Sequence, residues 1–103
     1  MSLAVDKEGF LLNLSDWSKQ AAQQLAAAEQ IALSPDHWLV IDALRDHYDR
    51  TELSLANRAL VKLCRTQLGE RFGSSAMLME LFGGSPAKTA AKIAGLPRPA
   101  NCL

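Results

Sequence analysis

Two residue types in this chain can do covalent chemistry at neutral pH, and both are scarce. There are two cysteines, Cys64 and Cys102, and two histidines, His37 and His47. Cys102 stands one residue before the last, in Leu96-Pro97-Arg98-Pro99-Ala100-Asn101-Cys102-Leu103. A thiol acts as a nucleophile or sulfur carrier only as its thiolate and only where a partner can reach it. A chain end supplies that access, because termini fray unless they are tied down. Activation is less evident. The α-carboxylate of Leu103 disfavours a second negative charge nearby. Arg98, Lys88 and Lys92 would oppose that effect if the segment folded back, and a partner protein could also supply the positive charge.

The other candidates have plainer readings. Cys64 falls on an apolar stripe with Leu60 and Leu68, and free cysteine at such a position is a packing residue. The sequence also allows a Cys64–Cys102 disulfide, which would make a redox switch. His37 and His47 are read as solvated face residues of one helix, and the two cysteines and two histidines match no zinc-ligand spacing. Asn57, Arg58, Lys62 and Arg65 share a face that a DNA-binding helix could use, but the net charge argues against it. Gly83-Gly84-Ser85 is read as a turn between helices in preference to an anion site. No phosphate loop or Ser/His/Asp set is present.

The elements that must position Cys102 follow from spacing and caps. Residues 1–14 read as a small β-hairpin, with a polar, Gly-containing turn between short apolar pieces. Residues 15–95 read as a helical body. Ser15 or Asp16 caps a helix to about Gln30, with Trp17, Ala21, Leu25 and Ala28 on its apolar stripe. Ser34, Pro35 and Asp36 start a second helix to about Arg50. A third runs from about Ser54 to Gly69, a short apolar fourth covers 76–82, and Ser85-Pro86 opens a fifth that Gly95 ends. Residues 96–103 are then a flexible C-terminal arm, stiffened locally by its two prolines. The expected fold is mostly α: one compact five-helix domain with a minor hairpin and an arm that carries the thiol.

Composition sets the outer limits. The chain has 103 residues, 49% of them hydrophobic, enough for one domain with an ordinary core. Eleven basic residues balance eleven acidic ones. That balance argues against direct nucleic-acid binding or membrane-surface contact, which usually need basic excess. No apolar run is long enough to span a membrane, and acids interrupt the start where a signal peptide would be apolar. A cytoplasmic location with free thiols is expected.

Lys92-Ile93-Ala94-Gly95-Leu96-Pro97-Arg98-Pro99, with Cys102 in the penultimate place, resembles the C-terminal signature of the DsrC/TusE family of sulfur-relay proteins. Further matches are Asp6 and Gly9-Phe10-Leu11, Trp17, Leu33-Ser34-Pro35-Asp36-His37-Trp38, Arg45-Asp46 and Tyr48, Arg58, Leu81-Phe82 and Pro86-Ala87-Lys88. The resemblance implies a sulfurtransferase acting as a persulfide relay, with Cys102 as the catalytic thiol and a covalent persulfide in place of any cofactor. Arg98, Lys88 and Lys92 would guide docking, and Gly95, Pro97 and Pro99 would shape the arm. It implies an upstream sulfur-carrier complex and a downstream tRNA thiouridylase as partners, in wobble-uridine 2-thiolation. The DsrC branch, partner of dissimilatory sulfite reductase, has a second arm cysteine that would fall at position 91. Alanine stands there, which favours the single-cysteine branch. A non-catalytic regulatory member that binds protein or DNA is the rival reading. Leu55, where the family often has proline, and Arg98, where it more often has lysine, are departures from the pattern.

Overall fold

The computed structural model describes residues 3–99. Five α-helices carry it: α1 (Lys19–Ala28), α2 (Pro35–Thr51), α3 (Asn57–Leu68), α4 (Ser75–Phe82) and α5 (Pro86–Ile93), with short 3-10 turns at Leu14–Asp16 and Glu70–Phe72. Phe82, Ile41, Leu60, Leu78, Ile93 and Val40 are the largest fully buried side chains. The short α5 packs against all four other helices. Its Ala87, Ala90 and Ala91 are buried, and these small side chains let neighbouring backbones approach closely. The last short helix of the sequence is therefore the axis of the body, and whatever follows it leaves from the middle of the fold.

Caps explain most helix starts. Ser34 accepts the amide of His37, and Pro35 occupies the first helical position, as the local pattern requires. Ser74 accepts the amide of Met77 at 3.1 Å. Elsewhere the caps are displaced. Ser18, not Ser15 or Asp16, caps α1 by accepting the amide of Ala21 at 3.0 Å. Trp17 consequently precedes the helix, with extended backbone. Ser54 lies before α3, which starts three residues later without a side-chain cap. Ser85 caps nothing with its side chain. Asn57, from the start of α3, reaches across to accept the amide of Ala87 at 2.8 Å. At α5 a residue distant in the chain thus takes over the role that the local pattern assigned to Ser85.

The expected N-terminal hairpin is not formed. A single antiparallel bridge joins Val5 to Leu11, and no strand occurs among the described residues. Asp6 organises the segment as a loop: its carboxylate accepts the amides of Glu8 at 2.8 Å and Phe10 at 3.0 Å. Phe10 and Leu11 are both buried, whereas successive strand residues face opposite sides. A loop that inserts two adjacent apolar side chains into a helical body has no use for a ladder.

His37 is also not a solvated residue. It is buried, edge-on to the Phe82 ring at 5.1 Å. The Ser34 amide donates to its Nδ1 at 3.0 Å, which leaves Nε2 to donate to the carbonyl of Leu81 at 2.7 Å. It ties α2 to α4 and is a structural residue. His47 is half-buried, and its Nε2 is buried without a hydrogen-bond partner among the described residues.

Candidate functional site: the root of the terminal arm

The described chain ends at Pro99, so Cys102 lies outside the described residues. What the structure shows is how the segment leading to it is fixed. Helix α5 ends with Gly95 at φ 72°, a left-handed position that glycine adopts without strain. The amide of Leu96 donates back to the carbonyl of Ala91 at 2.9 Å, the long closing bond of a glycine-capped helix end. Leu96 is buried directly after the turn.

The remaining carbonyls at that end are taken by side chains from far away. Trp17 Nε1 donates to the carbonyl of Ile93 at 2.9 Å. Arg45, on α2, donates through a guanidinium nitrogen to the carbonyl of Ala94 at 2.7 Å. The Arg45 guanidinium also stacks over the Trp17 ring at 3.7 Å, a cation–π contact that steadies both donors. Burial lowers the Arg45 pKa, opposed by the charges of Asp49 and Asp42, and the group stays charged. The positive charge sits at the C-terminal end of α5, where the helix dipole favours it. Gly95 fits under this pair because it has no side chain: a Cβ there would come within 2.3 Å of the Trp17 ring.

Beyond Gly95 the arm lies on the body and does not project from it. Pro97 is exposed, but its carbonyl accepts the Ser54 hydroxyl at 2.7 Å. Arg98 pairs with Glu8 and lies over the Phe10 ring at 5.4 Å. Pro99 is buried. The expected arm, 96–103, is thus seated on the body for its first four residues.

Of the three cations expected to guide docking, Lys88 and Arg98 converge. Lys88 Nζ is 2.6 Å from Oε1 of Glu8, and Arg98 takes the other carboxylate oxygen. Lys92 is separated from them. Its side chain is only 10% exposed, its ammonium is 3.0 Å from Glu29, and it lies on the Phe10 ring at 5.5 Å. The face considered for DNA is partly structural too, since Asn57 caps α5 and Arg65 donates to the carbonyl of Gly73 at 2.6 Å.

Trp17, Arg45, Ser54 and Glu8 hold the arm's root, and their local sequence carries no sign of it. Trp17 stands on an expected helix stripe and, with Arg45, among the matches to the family pattern. Ser54 looks like the start of a helix and Glu8 like a turn residue.

Cys64 is fully buried on α3, and burial pushes its thiol up to about 11. In the native chain at pH 8 Cys64 should therefore resist a thiol reagent, and in denaturant it should react. Fast labelling of Cys64 in the folded state would contradict the packing role. The folded state favours the neutral thiol, so Cys64 contributes full stability below its ordinary pKa of about 8.5, and that contribution declines as pH rises from there toward 11.

Taken together, a helical body built around α5 and a glycine-stopped segment clamped by Trp17 and Arg45 define a carrier of a C-terminal segment. The family model described as "DsrC like protein" matches residues 1–103, and the chain belongs to that family. Curated relatives include the "Sulfurtransferase TusE" of Escherichia coli strain K12, 45% identical over 98% of this chain and 93% of its own length. The "Sulfurtransferase TusE homolog" of Haemophilus influenzae is 44% identical over 100% and 94%. Among solved structures, the NMR structure of Allochromatium vinosum DsrC has a TM-score of 0.89 at 39% identity, covering 100% of this chain and 92% of that one. The oxidized gamma-subunit of the dissimilatory sulfite reductase (DsrC) from Archaeoglobus fulgidus has a TM-score of 0.83 at 32% identity, covering 100% and 94%. Among the described residues no helix is long and apolar enough to cross a membrane.

Proposed function

We propose that this chain is a sulfurtransferase of a sulfur relay, carrying sulfane sulfur as a persulfide on Cys102. The observation that supports it best is the end-to-end similarity to proteins named sulfurtransferase TusE, in a chain whose body anchors the segment three residues short of a thiol. In the first step the Cys102 thiolate attacks the outer sulfur of a donor persulfide. A new S–S bond forms at Cys102, the donor's S–S bond breaks, and the donor leaves as a thiolate. In the second step an acceptor thiolate attacks the same outer sulfur, and Cys102 leaves as the thiolate. One sulfur atom moves and no net oxidation occurs, so the cycle needs no cofactor. Both exchanges depend on thiolate fraction, leaving-group acidity and access. The seated root supplies access along a defined direction and limits the chain entropy lost on docking.

The acceptor we favour feeds wobble-uridine 2-thiolation through a tRNA thiouridylase in the cytoplasm, with an upstream sulfur-carrier complex as donor. Ala91 supports this branch over a sulfite reductase partner, because the resemblance places a second arm cysteine at that position.

The test is intact-mass analysis after incubation with a cysteine desulfurase, its relay proteins and cysteine. A gain of one sulfur atom is expected. It should map to the tryptic fragment 93–103, since trypsin does not cut between Arg98 and Pro99, and a reducing thiol should remove it. No gain, or a gain mapped to the fragment with Cys64, would overturn the proposal.

A further inference from the structure

We propose that Glu8 is a positioning residue for the arm: its carboxylate clamps Lys88 of α5 and Arg98 of the arm together and so sets the direction in which the chain leaves the body. This deepens the sulfur-relay reading and rests on it only for what the arm carries.

The N-terminal loop is built to hold that carboxylate in place. Asp6 accepts two amides of the loop, one of them from Glu8 itself. Gly9, at φ 92°, brings the backbone so close to α5 that a Cβ there would touch the Lys92 side chain at 3.4 Å. Phe10 is buried, with two cations near its ring, Lys92 at 5.5 Å and Arg98 at 5.4 Å. From this loop Glu8 offers one oxygen to Lys88 and the other to Arg98. The hydrogen bond from Lys88 and the charges of Arg98 and Lys88 hold its carboxyl below the usual range, against desolvation and the nearby Asp6 charge. The arm's guanidinium thus faces the Glu8 carboxylate and an aromatic ring.

An isolated exposed ion pair does little to fix a chain. This arrangement differs because one carboxylate bridges two like charges. Removing its charge leaves Lys88 and Arg98 facing each other with no shared counter-ion, and their repulsion drives the arm off its seat. The loop that stands in place of the expected hairpin thus serves to present Glu8.

The experiment is backbone ¹⁵N relaxation on the full chain at low salt, read at the Arg98 amide. The parent should show an order parameter near the rigid value of about 0.85, and Glu8→Gln should fall below about 0.6. Glu8→Asp, which keeps the charge on a shorter stem, should recover part of the order. Arg98→Gln, which removes the ion pair without leaving two unmatched cations, should loosen the residue less than Glu8→Gln does. Salt at about 1 M, where charges are screened within about 3 Å, should move the parent toward the variants. An Arg98 amide equally rigid in parent and Glu8→Gln overturns the proposal, as does one already flexible in the parent. Sulfur uptake by Cys102, measured separately, keeps the two readings apart. A loosened arm without uptake would remove the relay and leave the clamp. Uptake with unchanged Arg98 order would do the reverse.

Discussion

Cys102→Ser should abolish sulfur uptake, leaving no one-sulfur adduct at any incubation time with the desulfurase relay. A serine hydroxyl is neither acidic enough to form the attacking anion at neutral pH nor able to hold sulfane sulfur as a stable persulfide. The second cysteine offers no rescue. Cys64 is fully buried on α3 with its thiol pushed up to about 11. With that displacement its thiolate fraction at pH 8 is on the order of one part in a thousand. Few other lesions could produce complete loss, since changes to the anchor alter where the arm goes and leave the nucleophile in place. Intact-mass spectra of parent and variant, taken side by side, decide it. An adduct persisting in Cys102→Ser would show that another residue carries the sulfur, and the relay reading would have to be withdrawn.

Gly95→Ala adds only one methyl group, yet it should lower stability by about 2–4 kcal/mol. Three effects combine. Alanine in the left-handed region costs about 1–2 kcal/mol. Its Cβ would meet the Trp17 ring at 2.3 Å, so the ring must move. That movement breaks the indole bond to the Ile93 carbonyl, worth about 1 kcal/mol, and the stack with Arg45, worth about 0.5–1 kcal/mol. For a domain of this size the midpoint should fall by about 10–20 °C. Gly84→Ala is the matched control, because a Cβ there meets nothing within 4 Å, and it should melt close to the parent. Thermal melts by circular dichroism, with tryptophan fluorescence as a second probe, make the comparison. If Gly95→Ala melts with Gly84→Ala, the clamp at the end of α5 carries no energy. If it melts early yet takes up sulfur at the parental rate, the anchor serves the body and not the arm.

Helices are legible in the sequence where the decisive interactions span only three or four residues. Ser34 and Pro35 announce α2 because cap and first turn are neighbours in the chain. Gly95 announces the end of α5 because a left-handed residue is a local requirement. Local pattern misleads where a distant group competes. Trp17 has the spacing of a helix stripe, but its indole is engaged by the Ile93 carbonyl, 76 positions away, and the helix starts only after it. Ser54 looks like a helix start and Ser85 like a cap, but Ser54 donates to Pro97 and Asn57 does the capping at α5. His37 looks solvated in a first turn because nothing nearby reveals Leu81 above it.

The same division applies to the site. By itself the sequence determined five helices and a glycine stop followed by a proline-framed segment. Those properties belong to residue types and short spacings, which backbone sterics and local hydrogen bonding control. Only the tertiary structure decided that the segment is seated as far as Pro99, that Lys92 is enclosed with Glu29 while Lys88 and Arg98 share Glu8, and that Trp17, Arg45 and Ser54 form the seat. Those residues come from separate stretches of chain. Their meeting is a consequence of how α1, α2 and α3 pack around α5, and no periodicity in any one stretch records it.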